Sequence, residues 1–128
     1  MKRLKLIIIP FLCAVVAMII LRTVFIIGYV PSESMEPTLK KDSVIIGIRQ
    51  FGELSDGDII IFRHNGKLLV KRISAIAGER VIYNNSVQTV PNECCYVLGD
   101  NSDNSFDSRY WPDPYVPYED VVAKVILK

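Results

Sequence analysis

The segment "PSESMEPTL" (31–39) carries two serines two positions apart, Ser32 and Ser34, immediately after a long apolar run. A serine hydroxyl becomes a useful nucleophile only when a neighbouring base takes its proton, so the chemistry depends on where the chain keeps a base. The single histidine, His64, sits beside the turn-forming pair Asn65-Gly66. A histidine at a hairpin shoulder reads as a solvated turn neighbour, and a Ser-His-Asp triad is poorly supported. Lysine is the other candidate. Along a strand "KLLVKRISAIAG" successive side chains alternate faces, which groups Lys71 with Leu69, Ile73 and Ala75. A strand face with that many apolar neighbours is normally buried. Two readings of Lys71 stay open. It is an edge lysine that snorkels out to water, or a buried amine whose pKa desolvation lowers towards that of a general base. Ser-Lys pairs are one variant of triad chemistry.

The chain that must position these residues has 128 of them, room for one modest domain. Its net charge of +1 offers nothing to nucleic acid or to an acidic substrate. Three cysteines, Cys13 and the adjacent Cys94 and Cys95, form neither a metal pattern nor a disulfide framework. Residues 6–30 are apolar apart from interruptions such as Pro10, Arg22, Thr23 and Gly28. A helix from Leu6 to Leu21 would cover about 24 Å and one to Val30 about 37 Å, bracketing a hydrocarbon core of about 30 Å. Lys2, Arg3 and Lys5 precede the run. They predict a cytoplasmic N-terminus (1–5), a single-pass anchor (6–30) in the cell membrane and an extracytoplasmic domain (31–128). Arg22 then either snorkels to the outer interface or is paired when the helix tilts. A cleaved signal peptide is the competing reading. It fits less well, because the run exceeds about 7–15 residues and no small-x-small triplet closes it.

Beyond Lys40 the chain reads as strands. "SVIIGI" (43–48) and "DIIIF" (58–62) are short apolar runs bounded by turn residues, with the loop "FGELSDGD" between them. Asn65-Gly66 between "DIIIFR" and "KLLVKRISAI" predicts a hairpin, and "VIYNNSVQTV" a second one turning at Asn84-Asn85. "YVLG" (96–99) and "VVAKVIL" (121–127) complete a strand-rich, mainly antiparallel domain. The polar stretch from Asp100 to Asp120 is long for a loop, and such loops are usually functional or disordered. Its "DNSDNSFDSR" does not make a calcium loop. With Asp100 as the first position, the sixth is Ser105 where glycine is required and the twelfth is Trp111 where glutamate is required.

Four motifs, "SESMEPTL" (32–39), "GDIIIF" (57–62), "VKRISAIAGE" (70–79) and "LGDNSDNSFDSRYW" (98–111), stand in the order found in type I signal peptidases. The chain resembles that family over nearly its whole length. The resemblance implies a mainly β fold, with one N-terminal transmembrane helix followed by a compact antiparallel β-sheet domain. It implies a serine endopeptidase that removes signal peptides from exported preproteins through an acyl-enzyme. Ser34 then resembles the nucleophile and Lys71 the general base. Ser32 resembles a side-chain donor to the oxyanion beside the Ser34 backbone N–H. Ser105 resembles the residue that orients the lysine amine, and Asp107 with Arg109 a structural ion pair. Substrate is expected to bind extended beside an exposed sheet edge. Small side chains would enter shallow apolar pockets walled by Met35, Ile60, Phe62 and Ile73. The partners implied are preprotein signal peptides and the lipid bilayer, with no cofactor, metal or nucleic acid. Departures from the family pattern are Ser74-Ala75 and Ala77-Gly78 after "KRI", Pro112 after Trp111, and Cys94-Cys95 where aromatic residues are common. Two other classes stay in view. One is a membrane-tethered β-domain that binds extended peptides without cutting them. The other is a self-cleaving Ser-Lys repressor, which needs a DNA-binding segment where this chain has an apolar run.

Overall fold

The structure, a computed structural model, describes residues 2–49 and 51–127. Met1 of the expected cytoplasmic segment and Lys128 at the end of the expected domain lie outside the described residues. Helix α1 (Lys2–Val24) opens the chain. Its segment Arg3–Val24 has a mean hydropathy of 2.9, is not buried inside the protein, and is long and apolar enough to cross a membrane. At about 1.5 Å per residue it reaches about 33 Å.

The helix does not continue to Val30. Phe25–Tyr29 instead form strand β1, paired antiparallel with β2 (Val44–Ile48) from Phe25 opposite Ile48 to Tyr29 opposite Val44. The last residues of the expected anchor therefore belong to the sheet. "FIIGY" has no polar alternation, and an unbroken apolar run does not distinguish strand from buried helix. Gly28 shows the closeness of the packing, since a Cβ there would lie 3.1 Å from Ile45 Cγ1.

The remaining strands are β3 (Ile59–His64), β4 (Lys67–Ile76), β5 (Arg80–Tyr83), β6 (Ser86–Thr89), β7 (Cys94–Leu98), β8 (Tyr115–Pro117) and β9 (Val121–Leu127). Seven of the nine strands described form one sheet in the order β1-β2-β9-β3-β4-β7-β8, and β5 with β6 form a separate ribbon. Every strand pairing is antiparallel, as the sequence predicted for the domain. Both predicted hairpins form. Their turn pairs, Asn65-Gly66 (φ 49° and 75°) and Asn84-Asn85 (φ 49° and 58°), are left-handed at both positions. This is the geometry that matches strand twist in two-residue loops.

Strand β3 is buried on both faces, which explains its run of apolar residues. Ile60 and Phe62 pack with Ile73, Val97, Val116 and Trp111. Ile59 and Ile61, on the opposite face, pack with Val30, Met35, Leu39, Ile45 and Ala123. The sheet thus carries one core on each side. Between them β4 has a half-open edge. β7 begins its pairing only at Arg72, so Lys67–Lys71 have β3 on one side and no strand on the other among the described residues.

Candidate active site

Lys71 closes that open half-edge. It lies opposite Ile60 in the β3–β4 register and is only 5% exposed. Ile73 and Ala75, two and four positions along the same strand, are also buried. The alternation that grouped them therefore marks a buried face, and Lys71 does not snorkel out. Its ammonium donates to Ser34 Oγ at 2.6 Å across a separation of 37 residues. Burial lowers the Lys71 pKa from the ordinary 10.5, and the Asp107 carboxylate acts weakly the other way. A lysine touching a serine hydroxyl can accept that hydroxyl's proton once it is neutral, and burial makes the neutral form easier to reach.

Ser34 is presented by a turn. Glu36 N–H donates to Glu33 O and Leu39 N–H to Met35 O, bending residues 33–39 back on themselves. Met35 (1% exposed) and Leu39 anchor this turn in the core under Ile45 and Ile61. The two serine hydroxyls still lie together, with Ser32 Oγ donating to Ser34 Oγ at 3.2 Å. Asn101 clasps the turn from outside. Its backbone N–H donates to Ser34 O at 2.9 Å and its side-chain amide to Glu33 O at 3.0 Å.

Behind the dyad, the loop from Gly99 to Trp111 is built on Asp107. This fully buried carboxylate accepts from Arg109 Nε (2.8 Å) and Nη2 (2.9 Å), from Gly99 N–H (2.9 Å) and from Ser105 Oγ (2.7 Å). Burial pushes the Asp107 pKa up, but Arg109, Gly99 and Ser105 together outweigh it and hold the carboxyl below its ordinary 3.8. Ser105 thus gives its proton to Asp107, while the hydrogen bond of Lys71 goes to Ser34. A second ion pair joins loop to strand, with Arg72 Nε and Nη2 donating to the two carboxylate oxygens of Asp100 at 2.8 and 2.7 Å. Gly99 matters for space. A Cβ there would stand 2.1 Å from Ser105 Oγ and 2.6 Å from Ser34 O.

Asn101, Gly99 and the Arg72–Asp100 pair were missed as site residues, although "LGDNSD" lies in a motif already singled out. A glycine followed by Asx residues signals a tight, self-bonded loop, and nothing in its types says that Asn101 grips Glu33 O, 68 residues away.

Two cavities meet at the dyad, and Ser32, Ser34, Leu69 and Lys71 line both. One, of about 220 Å³, runs between the outer strand β1 (Ile26–Tyr29) and the open half-edge of β4, over Met35 and Ile61. The other, of about 590 Å³, lies against the β3–β4 hairpin and the Asp107 loop. Of the expected pocket walls, Met35 lines the first cavity. Ile60, Phe62 and Ile73 line neither. They are fully buried in the core with Trp111, on strand positions whose alternation turns them inward. His64 is not a solvated turn neighbour. Its ring is half-buried, stacks on Trp111 at a centroid distance of 3.9 Å, and pairs with Asn65 and not with Ser34. Cys95 is buried, and its thiol pKa is pushed up to about 12, so it is no nucleophile at neutral pH. No group of three or more His, Cys, Asp or Glu able to hold a metal occurs among the described residues.

The family described as signal peptidase, peptidase S26, matches residues 3–90 and 83–128. The chain is 30% identical over 136 residues to a signal peptidase I of Leptolyngbya laminosa, covering 78% of this chain and 66% of that protein. It is 30% identical over 134 residues to a probable signal peptidase I-2 of Synechocystis, covering 78% and 61%. It is also 32% identical over 87 residues to a protein of Staphylococcus aureus named inactive signal peptidase IA, covering 65% and 50%. The chain thus spans 66% or less of the length of these curated relatives.

Proposed function

We propose, from the premise that the chain belongs to the peptidase S26 signal peptidase family, that it cleaves signal peptides from exported preproteins with a Ser34–Lys71 dyad. The observation that carries this reading is the 2.6 Å contact between a buried, pKa-depressed lysine and a serine held on a clasped turn. In the reactive state the direction of that hydrogen bond reverses. Neutral Nζ accepts the proton of Ser34 Oγ as the oxygen attacks the peptide carbonyl, and the resulting ammonium passes that proton to the departing amine. The acyl-enzyme is then opened by water activated at the same amine. Ser32 Oγ, beside Ser34 Oγ, and the Ser34 backbone N–H are the donors for the oxyanion. The Ser105 O–H donates its hydrogen bond to Asp107, which leaves the Ser105 oxygen free only to accept. In that state it can hold an N–H of Lys71 and turn the amine lone pair towards Ser34.

The two strand edges beside the first cavity supply a peptide site. A chain laid between β1 and residues 67–71 of β4 adds a strand to unpaired backbone, the usual mode for extended peptides. Gly28 and Val70 are among the residues lining this cavity of about 220 Å³, whose small volume suits small side chains before the cut. Helix α1 leads directly into β1, so with α1 as a single-pass anchor β1 rises from the bilayer towards Ser34. The three basic residues at the start orient the N-terminus to the cytoplasm and the domain outside. A signal peptide leaving the same membrane would run alongside β1 and reach the nucleophile at its end.

The competing reading, a tethered domain that binds extended peptides without cutting them, has one point in its favour, the relatives named inactive. That name concerns those proteins, and here both dyad positions are filled and in contact. Incubating the purified chain in detergent with a preprotein separates the two readings. A cut after small-x-small, absent in Ser34→Ala, supports the peptidase, and binding with no cut supports the tethered domain.

A further inference from the structure

The second cavity differs in chemistry from the first. If residues before the cut lie along β1, as the function proposed above requires, residues after it pass Ser34 into the space of about 590 Å³. Its wall beyond the dyad is formed by His64, Asn65, Lys67, Asn104, Phe106 and Trp111, and no lining residue is acidic. Trp111 is buried beneath the stacked His64 ring, and Phe106 stands 68% exposed in the wall. Lys67 begins β4 opposite His64, placed there by the left-handed Asn65-Gly66 turn. Lys41, Arg72, Arg109 and Lys124 each form an ion pair, while Lys67 forms none among the described residues.

A solvated cation bordering an aromatic wall, at the exit of a cleavage site, has an obvious complement. The geometry points to Lys67 as a specificity-determining residue on the leaving-group side. It favours substrates with an acidic side chain among the first three positions after the cut. The carboxylate sits at the Lys67 ammonium and its stem lies over the Phe106 and His64 rings. Lys67 is exposed, so the pairing is worth a few-fold and no more, because water and salt screen it.

The test uses the full chain in detergent and sets of peptides identical up to a small-x-small junction. Each set carries Asp, Asn or Lys in turn at one of the first three positions after it. At low salt the Asp peptide of at least one set should show kcat/KM about three- to fivefold above its Asn partner, with Lys below both. The spread should collapse towards one when ionic strength rises to about 1 M, where screening acts over about 3 Å. Lys67→Glu should reverse the order. Arg63→Glu, on the same hairpin but outside the cavity lining, should keep it. Equal cleavage of Asp, Asn and Lys peptides by the unaltered protein overturns this inference and leaves the peptidase standing. A reversal by Arg63→Glu as large as that by Lys67→Glu also overturns it, in favour of the overall field. No cleavage of any peptide overturns both readings together.

Discussion

Lys71 and Asp107 are two buried ionisable groups at one end of the sheet, and the protein treats them in opposite ways. Asp107 is surrounded by donors, with two from the Arg109 side chain, one from Gly99 and one from Ser105, so its charge is retained despite full burial. Lys71 has a single hydrogen bond, to an uncharged hydroxyl, and no carboxylate within ion-pair distance among the described residues, so burial works against its charge. One site is built to keep a charge and the other to shed one. The difference separates structure from chemistry more sharply than proximity does. A fully satisfied buried charge fixes a loop, whereas a half-satisfied one is ready to exchange a proton.

Removing the group that sheds its charge should cost the most activity. Ser34→Ala and Lys71→Ala should each lower kcat/KM by about 10⁴-fold or more, and the double variant should fall little further, because the pair acts as a unit. Thermal denaturation of the variants should show the fold intact. Near-normal turnover in either single variant would dissolve the distinction between the two sites.

Removing the group that keeps its charge should act on the fold first. Asp107→Ala leaves Arg109, the Gly99 N–H and the Ser105 hydroxyl without their acceptor. A loss of about 3 kcal/mol is expected in urea denaturation, the low end for breaking a buried pair because Arg109 reaches solvent. Gly99→Ala should loosen the same loop through the clash with Ser105 and Ser34 O. Asp107→Asn sharpens the comparison further. It deletes the one charge that raises the Lys71 pKa, so the rising limb of the pH–rate profile should move to lower pH. An unmoved limb would mean that the two sites do not communicate. Ser32→Ala sits between the two regions in effect. It removes one of two proposed oxyanion donors and should cost on the order of 10–10³-fold in kcat with a smaller change in KM.

The asymmetry between these sites also explains what was legible in the sequence. Strands and hairpins could be read because β-alternation and Asn-Gly chemistry are local, and Lys71 stood out as a polar residue on an apolar face. Strand β1 was hidden, since an apolar stretch continuing a hydrophobic helix offers no change of period at Phe25. Ile60, Phe62 and Ile73 were expected as pocket walls because they are apolar residues within the motifs that carry the family resemblance. Which face turns to the cavity depends on how β1 and β4 approach across the open edge, which is a long-range property. The clasp of Asn101 on Ser34 is a backbone contact, and backbone contacts leave no mark in residue type.

The smallest effect expected is on the pH dependence of stability, and there the two groups should act with the same sign but in separate windows. Lys71 has a folded pKa below the unfolded value of 10.5. Between those two values the native state binds fewer protons than the unfolded chain. Stability therefore rises with pH through that window, falls as pH drops towards the folded pKa, and changes no further below it on this account. Asp107 also has a lowered folded pKa, but a carboxyl gains stability from ionisation. Its contribution is present above the unfolded value of 3.8 and is lost as pH falls through the folded one. The two windows do not overlap, so denaturation midpoints measured from pH 2 to pH 10 can resolve them. Lys71→Met should flatten the upper window while leaving the acid transition in place, and it should stabilise the fold at neutral pH by removing the cost of burying an ammonium. Asp107→Asn should flatten the acid transition and extend the alkaline slope to lower pH, because the folded pKa of Lys71 falls further without that carboxylate. If Lys71→Met leaves the upper window unchanged, Lys71 is not shedding its charge on folding, and the base that activates Ser34 must be sought elsewhere.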